Sequence, residues 1–245
     1  MKELYDIIFK RRSMRRFDET LHLTEKELKE IKQETEKLIP LADEIRVKFE
    51  IAERAETTAK RGEYCLLMYS EKKPNYLLNA GYLLEQMDLF LASHDIGVCW
   101  YALAKPKEVQ AKGLDYVIMM AFGKSRSHDF RKGASEFKRK SMQEIWTGDF
   151  DSNVKEAVRL APSACNTQPW RVVSEENQIR VYRNTKIKSF IPASKLPYYN
   201  SIDMGICLCF LETALMKNGC RFDRTLAMEE NTNSELLEIA VYNIK

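Results

Sequence analysis

Apolar positions along this chain keep two different periods, and the switches between them mark out its elements. Leu4, Ile7 and Ile8 open with helical spacing. Thr24 and Glu27 read as a capping box, ahead of Leu28, Ile31 and Leu38 on one helical face. At Ile45, Val47, Phe49 and Ile51 the period drops to two, with Arg46, Lys48 and Glu50 between them, which predicts a strand with one wet face. Residues 65–69 and 116–122 are continuous apolar runs, as expected of buried central strands. Residues 75–93 are apolar on most sides of a helix (Leu77, Leu78, Leu84, Met87, Leu91), so this helix should be deeply packed. Residues 98–103 predict a strand or extended segment, and 172–173, 179–182 and 236–242 supply strands in the second half. Residues 130–136 have little periodicity and read as a loop. Val154, Ala157, Val158 and Ala161 form a helical stripe that Pro162 should end, because proline disfavours helical backbone at the residue before it. The pattern predicts an α+β protein with a central, mostly antiparallel sheet flanked by helices.

The pattern also repeats. Asn79-Ala80-Gly81-Tyr82-Leu83-Leu84 and Asp203-Met204-Gly205-Ile206-Cys207-Leu208 begin similar apolar helices, which end near His94-Asp95 and Asn218-Gly219. Ile45-Arg46-Val47 is echoed by Ile179-Arg180-Val181. An internal duplication accounts for these echoes. The boundary falls at Gly148-Asp149-Phe150-Asp151, giving halves of 1–148 and 149–245 that form one compact unit.

Composition narrows the function classes. With 44% apolar and 31% charged residues in 245, the chain has the make-up of a globular protein able to bury a sizeable core. A net charge of +3 is too slight for a broad nucleic-acid-binding field. No apolar run reaches the roughly 18 residues a membrane helix needs. Lys2, Glu3 and Asp6 do not fit a signal peptide, so a cytoplasmic location is expected. The six cysteines contain no Cys-x-x-Cys pair, and His22, His94 and His128 are scattered; reduced thiols and no metal site are the expectation.

Two stretches could carry chemistry. Ala161-Pro162-Ser163-Ala164-Cys165-Asn166-Thr167-Gln168-Pro169-Trp170 packs two prolines, short polar side chains and a tryptophan into one stiff loop. Such a loop suits the edge of a planar polar ligand, or is an ordinary helix-to-strand turn whose amides bond the local backbone. Lys10-Arg11-Arg12-Ser13-Met14-Arg15-Arg16-Phe17-Asp18 offers guanidinium forks that fit phosphate oxygens, or is a solvated basic helix end or a nucleic-acid patch. In extended backbone Arg11, Ser13 and Arg15 would share one face.

Together the two stretches resemble the flavin-dependent nitroreductase family. Arg11 to Phe17 is similar to that family's Arg-x-Ser-x-Arg/Lys-x-Phe element, and Ala161 to Trp170 matches its Ala-Pro-Ser-x-x-Asn-x-Gln-Pro-Trp element at every fixed position. Asp95-Ile96-Gly97-Val98-Cys99-Trp100 resembles its Gly-Leu-Gly-x-x-Trp turn, and the segment 137–145 its basic closing element. The order departs from the family, because the Pro-Ser element here follows the basic element that normally closes the chain. The family builds its site between two subunits. The resemblance therefore implies a fused pseudo-dimer, monomeric or homodimeric, whose halves each kept part of one site.

The resemblance implies FMN as cofactor, with Arg11, Arg12 and Ser13 on its phosphate and Lys138, Arg139 and Lys140 closing from the other side. Arg15 would stand at the pyrimidine edge, where a cation stabilises the charge that reduction leaves. Pro162, Ser163 and Asn166 would line the ring edge, with Gln168 and Trp170 bracing the loop. Tyr101, Ala102 and Leu103 would lie against the ring. The flavin carries the chemistry, so no catalytic side chain is expected. The implied reaction is a ping-pong transfer from transiently bound NADH or NADPH to a small nitroaromatic, quinone or similar acceptor. The alternative implied is a flavin-binding or flavin-modifying relative without that turnover. A nucleic-acid module built on 11–16 is opposed by the near-neutral charge and the lack of aromatics inside the run.

Overall fold

The computed structural model describes residues 1–109, 111–227 and 234–245. In chain order the elements are α1 (Tyr5–Ile8), α2 (Glu25–Thr35), β1 (Val47–Glu53), β2 (Tyr64–Ser70), α3 (Tyr76–Ser93), β3 (Ile96–Tyr101), β4 (Asp115–Lys124), α4 (Met142–Ile145), β5 (Trp146–Thr147), α5 (Ser152–Leu160), β6 (Trp170–Glu175), β7 (Gln178–Asn184), α6 (Leu196–Lys217), β8 (Phe222–Leu226) and β9 (Leu236–Ile244). The Thr24 capping box forms, with its hydroxyl accepting from the Glu27 N–H at 3.3 Å. Helix α2 ends before Leu38, so that residue packs from beyond the helix rather than on its face. Ala161 caps α5 in extended backbone, as the following proline requires.

One central sheet was expected, and two are found. The first has the order β1-β2-β4-β3 and the second β5-β6-β7-β9-β8. All pairings are antiparallel except β5 on β6. Without β5, the second sheet repeats the order of the first, and each half places its long helix between its second and third strands. The apolar runs of β2 and β4 lie at the centre of the first sheet, which is why they lack alternation. The short strands β5 and β8 lie outside the predicted segments. Strand β5 precedes the boundary expected at residues 148–151 yet joins the second sheet, so one strand crosses that position.

Helices α3 and α6 pack against each other at the centre. Their contact explains the two echoed glycines. A Cβ on Gly81 would stand 1.9 Å from the Ile202 carbonyl oxygen, and one on Gly205 would stand 2.0 Å from that of Leu78. Each helix thus presses its backbone onto the other at the equivalent place, which only glycine permits. Helix α6 begins at Leu196, ahead of the repeated motif, with proline in its first turn. Near-total burial of both helices explains why neither shows a polar face.

The repeat extends to side-chain contacts. Asn79 Oδ1 accepts the Leu41 and Ala42 N–H groups at 2.8 and 3.3 Å. Asp203 Oδ1 accepts the Ala164 N–H at 2.9 Å. The loop at Pro40 in the first half therefore corresponds to the loop at Pro162 in the second.

Candidate functional site

The basic N-terminal element leaves α1 with the Arg11 N–H bonded to the Ile7 carbonyl at 2.8 Å. It then runs alongside β3, where the Met14 N–H donates to the Val98 carbonyl at 2.7 Å and Ser13 bridges Val98 in parallel. Arg11, Ser13 and Arg15 do not present themselves alike. Ser13 and Arg15 are exposed, whereas Arg11 is 1% exposed and turned inward. Two carboxylates on α3 account for this. Arg11 Nε and Nη2 donate to Asp88 at 3.3 and 2.9 Å, and Glu85 stands 3.9 Å away. Asp88 also accepts from Trp100 Nε1 at 2.8 Å, which ties β3 to the same cluster. Burial opposes the charge on Arg11, but Asp88 and Glu85 outweigh it and hold the guanidinium firmly protonated. Burial, with Asp88 nearby, pushes the Glu85 carboxyl well up, and neither of its oxygens has a hydrogen-bond partner among the described residues.

The segment 131–140 links this cluster to the second half. Arg131 donates to the Arg11 carbonyl oxygen and lies 3.9 Å over the Phe137 ring. Arg139 lies 5.4 Å over the same ring. Its Nε donates to the Leu160 and Ala161 carbonyls at 3.2 and 3.1 Å, and its Nη1 to Asn166 Oδ1 at 2.9 Å. Lys140 Nζ is held by the Thr167 and Gln168 carbonyls at 2.7 and 3.1 Å. Lys138 is exposed, and its carbonyl accepts from Asn166 Nδ2 at 3.1 Å. Among the described residues neither Arg131 nor Arg139 has a carboxylate in ion-pair range. Burial first, then the neighbouring guanidiniums, push both down to about 10. Crowded cations whose charge is this poorly compensated form a ready seat for an anion.

The Pro-Ser loop is backbone-strained. Cys165, Asn166 and Gln168 have φ of 50, 56 and 48°, a left-handed conformation that costs non-glycine residues energy. Surrounding bonds enforce it. Ser163 Oγ accepts the Gln168 N–H at 2.9 Å, and Gln168 Oε1 accepts the Lys140 N–H at 2.9 Å. Gln168 and Trp170 are buried, so they brace the loop; Pro162 and Ser163 are half-buried, and Asn166 is exposed. Asp203 anchors the loop from α6, and burial pushes its carboxyl up to about 8 against the Ala164 N–H.

The structure thus brings Arg11, Arg139, Lys140 and Asn166 into one connected network, with Ser13 beside it. Arg12 donates to the Asp129 carbonyl at 3.4 Å. Tyr101, Ala102 and Leu103 lie at and beyond the end of β3: the Tyr101 hydroxyl accepts the Lys60 N–H at 3.2 Å, the Ala102 carbonyl accepts from the Tyr199 hydroxyl at 2.9 Å, and Leu103 is 78% exposed. They share no hydrogen bond or ion pair with the Pro-Ser loop. Arg15 instead borders an open groove of about 540 Å³ that also includes Arg61 and Lys124. Asp88, Glu85 and Asp203 were not anticipated as site residues. The signal was there: carboxylates inside otherwise apolar helices are rare unless they have work to do.

Comparison with known proteins bears on this arrangement. The family described as "Putative TM nitroreductase" matches residues 3–215. The chain belongs to this nitroreductase family. It is similar in structure to a "putative nitroreductase" from Thermotoga maritima MSB8, with a TM-score of 0.65 and 20% identity over 98% of this chain and 92% of that one. At that identity the likeness shows the fold alone: an α+β nitroreductase-like architecture. No curated protein matches the chain. Family and fold together make it a nitroreductase-like oxidoreductase in general character. Among the described residues no helix is long and apolar enough to cross a membrane, and no cluster of side chains could hold a metal.

Proposed function

We propose that this chain is an FMN-dependent oxidoreductase and a fused pseudo-dimer with one flavin site where its halves meet. It passes electrons from NADH or NADPH to nitroaromatic, quinone or similar small acceptors in a ping-pong cycle. The observation that carries the reading is the pair Arg131 and Arg139, without carboxylate partners among the described residues, with Arg139 bonded to the strained Pro-Ser loop.

Those residues fit a phosphate. Arg12, Ser13, Arg131, Lys138 and Arg139 would hold it, while Lys140 secures the loop. Arg11 backs the site, since its fork is already taken by Asp88. Pro162, Ser163 and Asn166 would line the ring edge, with residues 101–103 along the ring, while Arg15, expected at the pyrimidine edge, borders the neighbouring groove instead. FMN, when bound, supplies two-electron redox chemistry. The protein's part is to orient it, exclude water and supply positive charge. The opposite junction lacks this equipment. The loop after Pro40 reads Leu41-Ala42 and has no hydroxyl there, and Trp146-Thr147-Gly148-Asp149 offers no cation ahead of α5. One FMN per chain follows. Six free thiols agree with a cytoplasmic protein.

The test is titration of the purified protein with FMN, followed by visible absorbance, with gel filtration alongside. A monomer binding one FMN is expected. Arg139→Ala and Ser163→Ala should each weaken binding, the former by about tenfold or more. If neither substitution changes affinity, the site is misplaced. FMN binding without acceptor-dependent oxidation of NADH or NADPH would instead identify a flavin-binding or flavin-modifying relative.

A further inference from the structure

We infer that the groove beside Arg15 is the seat of the phosphates of the nicotinamide donor, and that it selects NADPH over NADH. This inference rests on the proposed FMN site. The chain carries no glycine fingerprint for a dinucleotide, so the donor's anionic end must be held by side chains. The groove is of ordinary ligand size, at about 540 Å³. Its walls are the segment after the arginine element, the loop at 60–63 and the end of β4. Its floor is backbone at Gly62 and Gly123. A Cβ on Gly62 would meet Ala121 and Phe122 at 3.0 Å, and one on Gly123 would meet the Phe17 ring at 3.2 Å.

Charge singles the groove out. Six cations line it, against three carboxylates. The carboxylates are engaged. Asp18 binds Arg126, Glu63 accepts the Leu23 N–H at 2.9 Å, and Glu19 stands 3.7 Å from Arg54. Lys124 is paired with Glu27. Among the described residues Arg15, Arg16, Lys60 and Arg61 have no carboxylate partner in ion-pair range, and all four are exposed. Four unpaired cations round one concavity repel one another unless an anion joins them. A diphosphate with an additional 2′-phosphate matches that excess better than a diphosphate alone.

The groove also adjoins β3, since Arg15 follows Met14, whose N–H is bonded to the Val98 carbonyl. Burial pushes the Cys99 thiol up, while the Ser13 hydroxyl, Arg61 and Arg15 pull the other way. The Lys60 N–H on the Tyr101 hydroxyl ties the same loop to the strand's end. Phosphates held here would leave the nicotinamide free to reach the end of β3, where residues 101–103 are proposed to lie along the flavin ring.

Adenosine 2′,5′-bisphosphate and 5′-AMP, titrated into the protein by calorimetry, test this directly. The bisphosphate should bind more tightly, and Lys60→Ala/Arg61→Ala should weaken it about tenfold. The same variant should keep wild-type FMN affinity and show a KM for NADPH raised by a similar factor, with the KM for NADH changed much less. Equal binding of the two nucleotides, or an unaltered affinity in the variant, overturns the inference. If FMN binds and NADPH is oxidised while the variant behaves as wild type, the groove assignment falls and the flavin reading stands. If FMN does not bind but the bisphosphate does, and the variant loses it, the flavin reading falls and the groove remains an anion site.

Discussion

Arg11→Met separates a positioning role from a ligand-holding one. Methionine roughly keeps the volume of the arginine stem and removes the charge. Asp88, 1% exposed, then loses donors at 3.3 and 2.9 Å and keeps only the Trp100 indole at 2.8 Å. Glu85 loses the cation 3.9 Å away. Breaking a buried pair from one side costs about 3–5 kcal/mol, because the remaining carboxylate stays in the core uncompensated. In a chain of this size that lowers Tm by about 10 °C. Urea and thermal unfolding measure it. The double variant Arg11→Met/Asp88→Leu should recover most of the loss, since replacing both partners by apolar groups removes the orphaned charge. A single variant within about 1 kcal/mol of wild type, or a double variant no better than the single, refutes this reasoning. A well-folded single variant that loses FMN affinity would show that Arg11 serves the ligand instead.

Gly81→Ala and Gly205→Ala should each destabilise by about 3 kcal/mol, because a Cβ at 1.9–2.0 Å from a carbonyl oxygen forces the two helices apart; similar losses at both positions would confirm the equivalence of α3 and α6, and a neutral result at either would deny it. Asp203→Asn should stabilise increasingly with pH. The buried Asp203 carboxyl, pushed to about 8, binds a proton in the folded state where the unfolded chain is ionised, so its contribution to stability falls as pH rises from about 4 to about 8. Denaturation should show almost no gain for the variant near pH 4 and at least about 2 kcal/mol near pH 8; a gain independent of pH would show that Asp203 ionises normally.

The chain's own pattern fixed a good deal. Period-two apolar spacing at 45–51, the capping box at Thr24 and the proline stop after Ala161 are local effects, and each element formed, with β1 shifted to Val47–Glu53 and α2 ending at Thr35. The echo of Gly81 and Gly205 was legible because the motif around each glycine is similar in sequence, and both glycines serve the same close helix contact. Tertiary structure decided what depends on residues far apart. Whether the alternating cations faced a ligand or the core turned on Asp88 and Glu85, more than seventy positions away on a buried helix. A carboxylate in an apolar run announces that something must neutralise it, but not which cation will. The split into two sheets had the same origin. Strand order is set by which faces can be buried together, and here two helices pressed backbone to backbone leave room for a sheet on either side, with β5 crossing between the halves.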